Sequence, residues 1–251
     1  IEARKRVINE CKYIKPFVPN EVNGQKWEEI NTNIIYSNVE FFRMYPNESW
    51  HSYENYENYQ YIIDPCKLLF TTCGININTK EYEDFGIPSK VLADFLKEKN
   101  IICEKANLNS ILFLLTPAET IDKLNVLVQC FILFEKLIDE NALLKDCLPT
   151  LYYQYEERYK DYTLRQLCQE LHDFHKRNNI KLFQKKMFLY DYLPEIAMSA
   201  NKAEDEFVKN HGELVNIKDI KGRIAMEGAM PSPPGIYVVV PGERWTETVQ
   251  Q

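Results

Sequence analysis

The sequence predicts an α+β chain, on three observations. Short β-prone runs alternate with helical 3,4 spacing through the middle third, composition turns helical after Pro149, and β-prone runs return after Gly212. Of 251 residues, 45% are hydrophobic and 27% charged, enough apolar material for a sizeable core. Glycine is scarce, with 8 residues, and no G-x-G-x-x-G or G-x-x-x-x-G-K-[ST] run occurs, which argues against a phosphate-cradling loop.

Taken in order, the chain opens on a helical pattern at Ile1, Val7, Ile8 and Cys11 and breaks at Pro16, because proline cannot continue a helix. Ile34-Ile35-Tyr36 and Val39-Glu40-Phe41-Phe42 read as short strands. The Asn- and Tyr-rich stretch from Trp50 to Tyr61 reads as a solvated loop. Lys67 to Thr72 is a strand ended by Gly74, and Pro88 starts a helix whose apolar positions are Val91, Leu92, Phe95 and Leu96. Further strands are expected at Ile101 to Cys103 and Ile111 to Leu115. A helix from Pro117 to about Leu137 follows, begun by a capping box at Thr116-Pro117-Ala118-Glu119. Thr163-Leu164-Arg165-Gln166 is a second capping box, with Leu164, Leu167, Cys168 and Leu171 on one face, and Leu182 to Leu189 is a further helix. Strands are expected at Glu213 to Ile217, Arg223 to Met226 and Ile236 to Val240. Pro231 to Gly235 is read as a turn rather than a polyproline ligand, and Trp245 to Thr248 as a helix start.

Composition also bounds function. There are 30 Lys+Arg against 37 Asp+Glu, a formal charge of −7. No basic cluster supplies the electrostatic footprint of a nucleic-acid or anionic-membrane binder, and no apolar run is long enough to span a bilayer. The seven cysteines are dispersed and never form C-x-x-C, which reads as reduced thiols in a cytoplasmic protein. The sequence shows no signal peptide and reads as cut at both ends. His51 reads as a hydrogen-bonded surface group. His172 and His175 lie three apart on one helix, but no third ligand accompanies them, so no metal is expected.

The strings Glu2-Ala3-Arg4-Lys5, Trp50-His51-Ser52-Tyr53, Asp64-Pro65-Cys66-Lys67-Leu68-Leu69 and Glu104-Lys105 precede a longer run from Leu108 to Glu119. Glu156-Glu157-Arg158-Tyr159, Tyr162 to Glu170, Gly222-Arg223-Ile224-Ala225, Glu227 to Pro231 and Pro233-Pro234-Gly235 continue the series. Together, in this order, they resemble the bacterial-type ornithine decarboxylases, members of the pyridoxal-phosphate-dependent Orn/Lys/Arg decarboxylases of fold type I. The run from Leu108 to Glu119 is similar to the ornithine enzymes; the lysine enzymes resemble Tyr-Asn-Leu-Leu-Phe-Leu-Phe-Ser there. Cys73 and Cys103 stand where prolines are usual in the family, and Ser232 where a tyrosine is common. Loss of the two prolines is expected to loosen turns through the unfolded state without altering chemistry.

The resemblance implies an aminotransferase-like small domain with a connecting segment over 1–145, then a mixed α+β C-terminal domain, truncated, over 146–251. It implies a lyase that converts L-ornithine to putrescine and CO2 in polyamine biosynthesis, as a homo-oligomer. A lysine in Ser-x-His-Lys would hold pyridoxal 5'-phosphate in a large domain that is not part of this sequence. The His175-Lys176 pair lacks the serine and falls in the wrong domain, so no catalytic residue is expected here and the isolated chain should be inactive. In such enzymes the glutamate of the Glu-Lys pair lies at the substrate pocket or its entrance. Glu104 is therefore the expected partner of ornithine's distal ammonium, with Ser110 and Thr116 as pocket-wall candidates. The alternatives are a lysine or arginine decarboxylase fragment, or a non-catalytic assembly or regulatory module.

Overall fold

The computed structural model describes residues 1–51, 53–231 and 235–250. Part of the anticipated turn at 231–235 therefore lies outside the described residues. The chain divides into two compact units, Ile1–Phe174 and His175–Gln251.

The first unit is built on a four-stranded antiparallel sheet of order β1-β6-β8-β7, with β1 at Ile14–Pro16, β6 at Lys67–Thr72, β7 at Lys105–Ala106 and β8 at Ser110–Leu114. Pro16 is tolerated because β1 is an edge strand, where a missing N–H costs no ladder bond. In β6 and β8, alternation puts Leu68, Phe70, Ile111 and Phe113 on one face, all buried. Onto this core pack α1 (Glu2–Glu10), α3 (Ser89–Glu98) and α4 (Ile121–Asp139). Phe131 of α4 lies edge-on to Phe70 at 5.0 Å, and Phe134 lies 5.1 Å from Phe95. Helix α3 buries the four apolar positions that its spacing predicts.

Two charged side chains are buried in this unit. Glu135 of α4 accepts the backbone N–H groups of Lys12, Tyr13 and Ile14 at 2.6, 2.8 and 2.8 Å, tying the turn after α1 to α4. Three charge-assisted bonds offset the cost of burying the carboxylate. Arg4 donates to the carbonyls of Pro65 (3.3 Å) and Lys67 (3.0 Å), and burial pulls its pKa down to about 10.

A second cluster gathers Trp27, Ile35, Phe41, Phe42, Trp50 and Ile63. It is framed by the hairpin of β2 (Glu21–Val22) and β3 (Gln25–Lys26), and by β4 (Arg43–Met44) paired with β5 (Tyr61–Ile62). Asn23 and Gly24 both have positive φ, as a type I′ hairpin turn requires.

Several sequence expectations are corrected here. Ile34 to Tyr36 lies in a helix, α2 (Thr32–Ser37), and Val39–Phe42 forms a 3₁₀ turn. The side chains of Asn31 and Asn38 cap these by accepting the N–H of Asn33 (2.9 Å) and Glu40 (3.0 Å), which overrides the β-propensity of the branched residues. Ile101 to Cys103 is not a strand; the pairing begins at Lys105. The box at Thr116 does not start α4, since Thr116 to Glu119 form a turn closed by Glu119 N–H on the Thr116 carbonyl (3.0 Å). Thr120 is the cap, its hydroxyl accepting the Lys123 N–H. The stretch from Trp50 to Tyr61 is not wholly solvated, because Trp50 and His51 are buried. The second box is present as read: Thr163 and Gln166 exchange reciprocal bonds of 2.9 and 3.2 Å at the start of α8 (Leu164–Arg177).

Short helices α5 (Leu144–Cys147), α6 (Pro149–Gln154) and α7 (Glu156–Tyr159) connect α4 to α8. The second unit contains α9 (Ile180–Lys186), α10 (Ala200–Val208) and α11 (Glu247–Gln250). Helix α10, for which the sequence reading gave no signal, is capped by Ser199 accepting the Lys202 N–H at 3.3 Å. The three expected strands after Gly212 do not form ladders. The pairs Ile224–Arg244 and Ala229–Val239 are isolated bridges, as is Ile196–Glu243. Gly242 is required where it stands: its φ is +92°, and a Cβ would lie 2.3 Å from the Met198 carbonyl oxygen. Among the described residues of this unit the buried apolar ones are Ala203, Ile220, Ala225 and Val239.

Candidate functional site

The β7–β8 hairpin positions the residues singled out for substrate. Its turn is closed by Asn107 N–H on the Ser110 carbonyl (2.8 Å). Asn109 anchors it by donating its side-chain amide to the carbonyls of Cys73 (2.9 Å) and Ile87 (3.2 Å). Glu104 immediately precedes β7, and its backbone N–H donates to Leu112 at 2.9 Å. Its carboxylate is exposed, and among the described residues it makes no hydrogen bond or ion pair. A fixed backbone under a free carboxylate suits an ammonium ligand. Ser110 sits opposite Thr71 on the sheet face that carries Lys15, Leu69 and Leu112, all half-buried or exposed.

Thr116 lies past the other end of β8 and is exposed. Six residues of extended chain separate it from Ser110, about 20 Å at ~3.3 Å per residue. Glu104, opposite the middle of β8, lies between the two. The three residues therefore do not converge, and one small amino acid cannot touch both Ser110 and Thr116.

The histidines have other duties. His51 is buried, not the surface group expected: its Nδ1 accepts the Tyr53 N–H (2.9 Å) and its ring stacks on Tyr53 at 5.4 Å. His172 is buried in the first unit, with Nε2 2.8 Å from the Glu83 carbonyl oxygen. Its ring fills the space over Gly86, where a Cβ would lie 2.1 Å from Nδ1. His175 and Lys176 lie in the last turn of α8. Among the described residues no group of three or more His, Cys, Asp or Glu is placed to hold a metal ion.

All seven cysteines are free. Burial pushes the thiols of Cys11 and Cys73 up to about 12 and that of Cys147 to about 11, and raises Cys168 further. These are poor nucleophiles at neutral pH. The Cys73 N–H donates to the Tyr13 carbonyl at 3.0 Å, a bond that a proline at this position could not make. A cleft of about 380 Å³ lined by Ile8, Lys15, Pro16, Val18, Asn20 and Lys26, among others, runs beside β1. That is the opposite edge of the sheet from Glu104, so this cleft and the free carboxylate are separate features. Sequence reasoning missed Glu135, although a charge at the 127, 131, 135, 138 spacing of α4's buried face was a legible signal.

The fold of this chain is similar to part of a solved lysine decarboxylase A from Pseudomonas aeruginosa. That structure is similar with a TM-score of 0.85 at 28% identity, over 99% of this chain and 33% of that one. Residues 1–123 match the Orn/Lys/Arg decarboxylase major domain and residues 181–251 the Orn/Lys/Arg decarboxylase C-terminal domain. The chain belongs to the Orn/Lys/Arg decarboxylase family. It is 51% identical over its whole length to an ornithine decarboxylase of Haemophilus influenzae, and 49% identical over 99% of its length to an inducible ornithine decarboxylase of a Lactobacillus species. It spans about a third of the length of these relatives, 35% and 34%. No helix among the described residues is long and apolar enough to cross a membrane.

Proposed function

We propose that this chain is part of an ornithine decarboxylase, a lyase that converts L-ornithine to putrescine and CO2. The observation that carries the reading is the 51% identity to an ornithine decarboxylase along the entire chain, against 34% over 82% of the chain to a lysine decarboxylase of Pseudomonas aeruginosa. Residues 1–145 form its small domain and residues 146–251 belong to its C-terminal domain. The two family matches leave 124–180 between them, an interval that contains both this boundary and the division between the compact units.

Pyridoxal 5'-phosphate would supply the electron sink for loss of the α-carboxylate, but the residues present do not fit it. The one His-Lys pair is inside α8, and no glycine-rich phosphate cradle is present. The cofactor is assigned to the remaining two thirds of a longer cytoplasmic, oligomeric protein. The contribution assigned to this chain is Glu104, whose free carboxylate would accept the distal ammonium of ornithine in a charge-assisted hydrogen bond. Ser110 is retained as a wall candidate, and Thr116 as one only if the substrate does not also reach Ser110.

The test is kcat/KM of the longer protein with ornithine, lysine and arginine, each with Glu104→Gln. Ornithine should be preferred, and the substitution should raise its KM about tenfold or more with cofactor affinity unchanged, the loss of about 1.4 kcal/mol or more expected for a charge-assisted bond. Preference for lysine or arginine would discard the substrate, and equal loss of cofactor and substrate affinity would remove Glu104 from the pocket.

A further inference from the structure

The tip of the β7–β8 hairpin, residues 107–109, is held from two sides. From the end of β6, the Thr72 N–H donates to the Asn109 carbonyl at 2.9 Å. In return, the Asn109 side-chain amide donates to the Cys73 and Ile87 carbonyls and lies 3.4 Å from the Thr72 hydroxyl oxygen. From the start of α3, the Ser89 N–H donates to the Leu108 carbonyl at 3.0 Å, and its hydroxyl donates to the Asn107 carbonyl. Ser89 is buried. Gly74 is shaped to the same contact: its φ is +130°, and a Cβ there would lie 2.9 Å from Asn109 Nδ2.

A clamp on this scale exceeds what closing a short turn requires. Strand β7 has two residues and lies at the edge of the sheet, so its own ladder holds it weakly. A slip of one residue against β8 would carry Glu104 to the opposite face of the sheet. Ornithine and lysine differ by one methylene, and a carboxylate that tells their distal ammonium groups apart must be held to within about 0.5 Å. Glu104 is tied to the clamp through the hairpin itself: its N–H pairs with Leu112 at 2.9 Å, and the Asn107 N–H closes on Ser110 at 2.8 Å. We infer that Asn109 and Ser89 are positioning residues for ornithine selection: by fixing the hairpin tip they set the register that places the Glu104 carboxylate. The inference rests on the reading of Glu104 as the partner of the distal ammonium.

Steady-state kinetics of the longer protein with ornithine and lysine tests this. Asn109→Ala should raise the KM for ornithine at least about fivefold and Ser89→Ala about threefold, with kcat and cofactor affinity held within about twofold. The ratio of kcat/KM for ornithine over lysine should fall at least about threefold in Asn109→Ala, a split that general loss of stability does not produce. In a Glu104→Gln background, Asn109→Ala should add less than about twofold to KM, because the carboxylate it places is gone. Amide exchange across residues 104–114 should quicken in the same variant. If Asn109→Ala does not fold, Ser89→Ala carries the same cycle, since it leaves the Asn109 amide in place. Unchanged KM in both clamp variants, with Glu104→Gln still raising it, would overturn the inference and leave the role of Glu104 intact. Independent, multiplying effects of Asn109→Ala and Glu104→Gln would overturn it as well. A Glu104→Gln enzyme with unchanged KM would instead remove the reading of Glu104, and the inference with it.

Discussion

The two units differ in what holds them together. Residues 1–174 bury a continuous core of phenylalanines and aliphatic residues from α1, α3, α4 and the sheet, pinned by Glu135 and Arg4. Residues 175–251 bury four apolar side chains among those described, none larger than isoleucine, and connect their chain segments by isolated bridges. At about 25 cal/mol per Å² of apolar surface removed from water, the first unit gains from every buried ring, while the second leaves most of its rings in solvent. Local structure in the second unit is set by caps and turns, with little buried apolar surface among its described residues to add to them.

Core truncation should separate the units most strongly. Phe131→Ala removes a ring packed against Phe70 and Phe113, and should cost about 3–5 kcal/mol in a urea melt. Phe207→Ala, at a half-exposed ring of α10, should cost under about 1 kcal/mol. Equal losses would erase the distinction. Gly86→Ala forces a Cβ into the His172 ring and should cost about 1–3 kcal/mol. Much of that loss should be recovered when His172→Ala opens the space, giving a non-additive double-mutant cycle; strict additivity would mean that the ring and Gly86 are not in contact. The smallest effect is at the caps. Thr163→Ala and Ser199→Ala should each cost about 1 kcal/mol of local helix stability. The first should lower the melting temperature of the first unit by a few degrees, and the second should register mainly as faster amide exchange in α10.

The sequence was most legible where local and tertiary preferences agree. Helix α3 and strand β6 stand where spacing and alternation put them, and the Thr163 box closes as read. Helix α2 was hidden because Ile34 and Ile35 favour strand while the decisive term is the Asn31 cap. The start of α4 moved because two threonines four residues apart are both plausible caps, and packing of the helix selected Thr120. Asn23-Gly24 is a two-residue hairpin signal carried in the sequence alone, and β2 and β3 pair across it. The runs after Gly212 have strand-like composition, but without neighbours to pair they reduce to single bridges. The Glu104 carboxylate could be found only through the family resemblance, because its isolation from Ser110 and Thr116 depends on register, which no motif encodes.

Amide hydrogen exchange on residues 1–251 measures this contrast most directly. Amides of β6, β8 and α4 should exchange only through global unfolding of the first unit, and those of α9 and α10 at least 100-fold faster (a gap of about 2.7 kcal/mol or more). In the longer protein, protection of 175–251 should rise while that of 1–174 changes little. Protection of the second unit equal to that of β6 and β8 in residues 1–251 alone would contradict the account, because it would show that four buried side chains suffice.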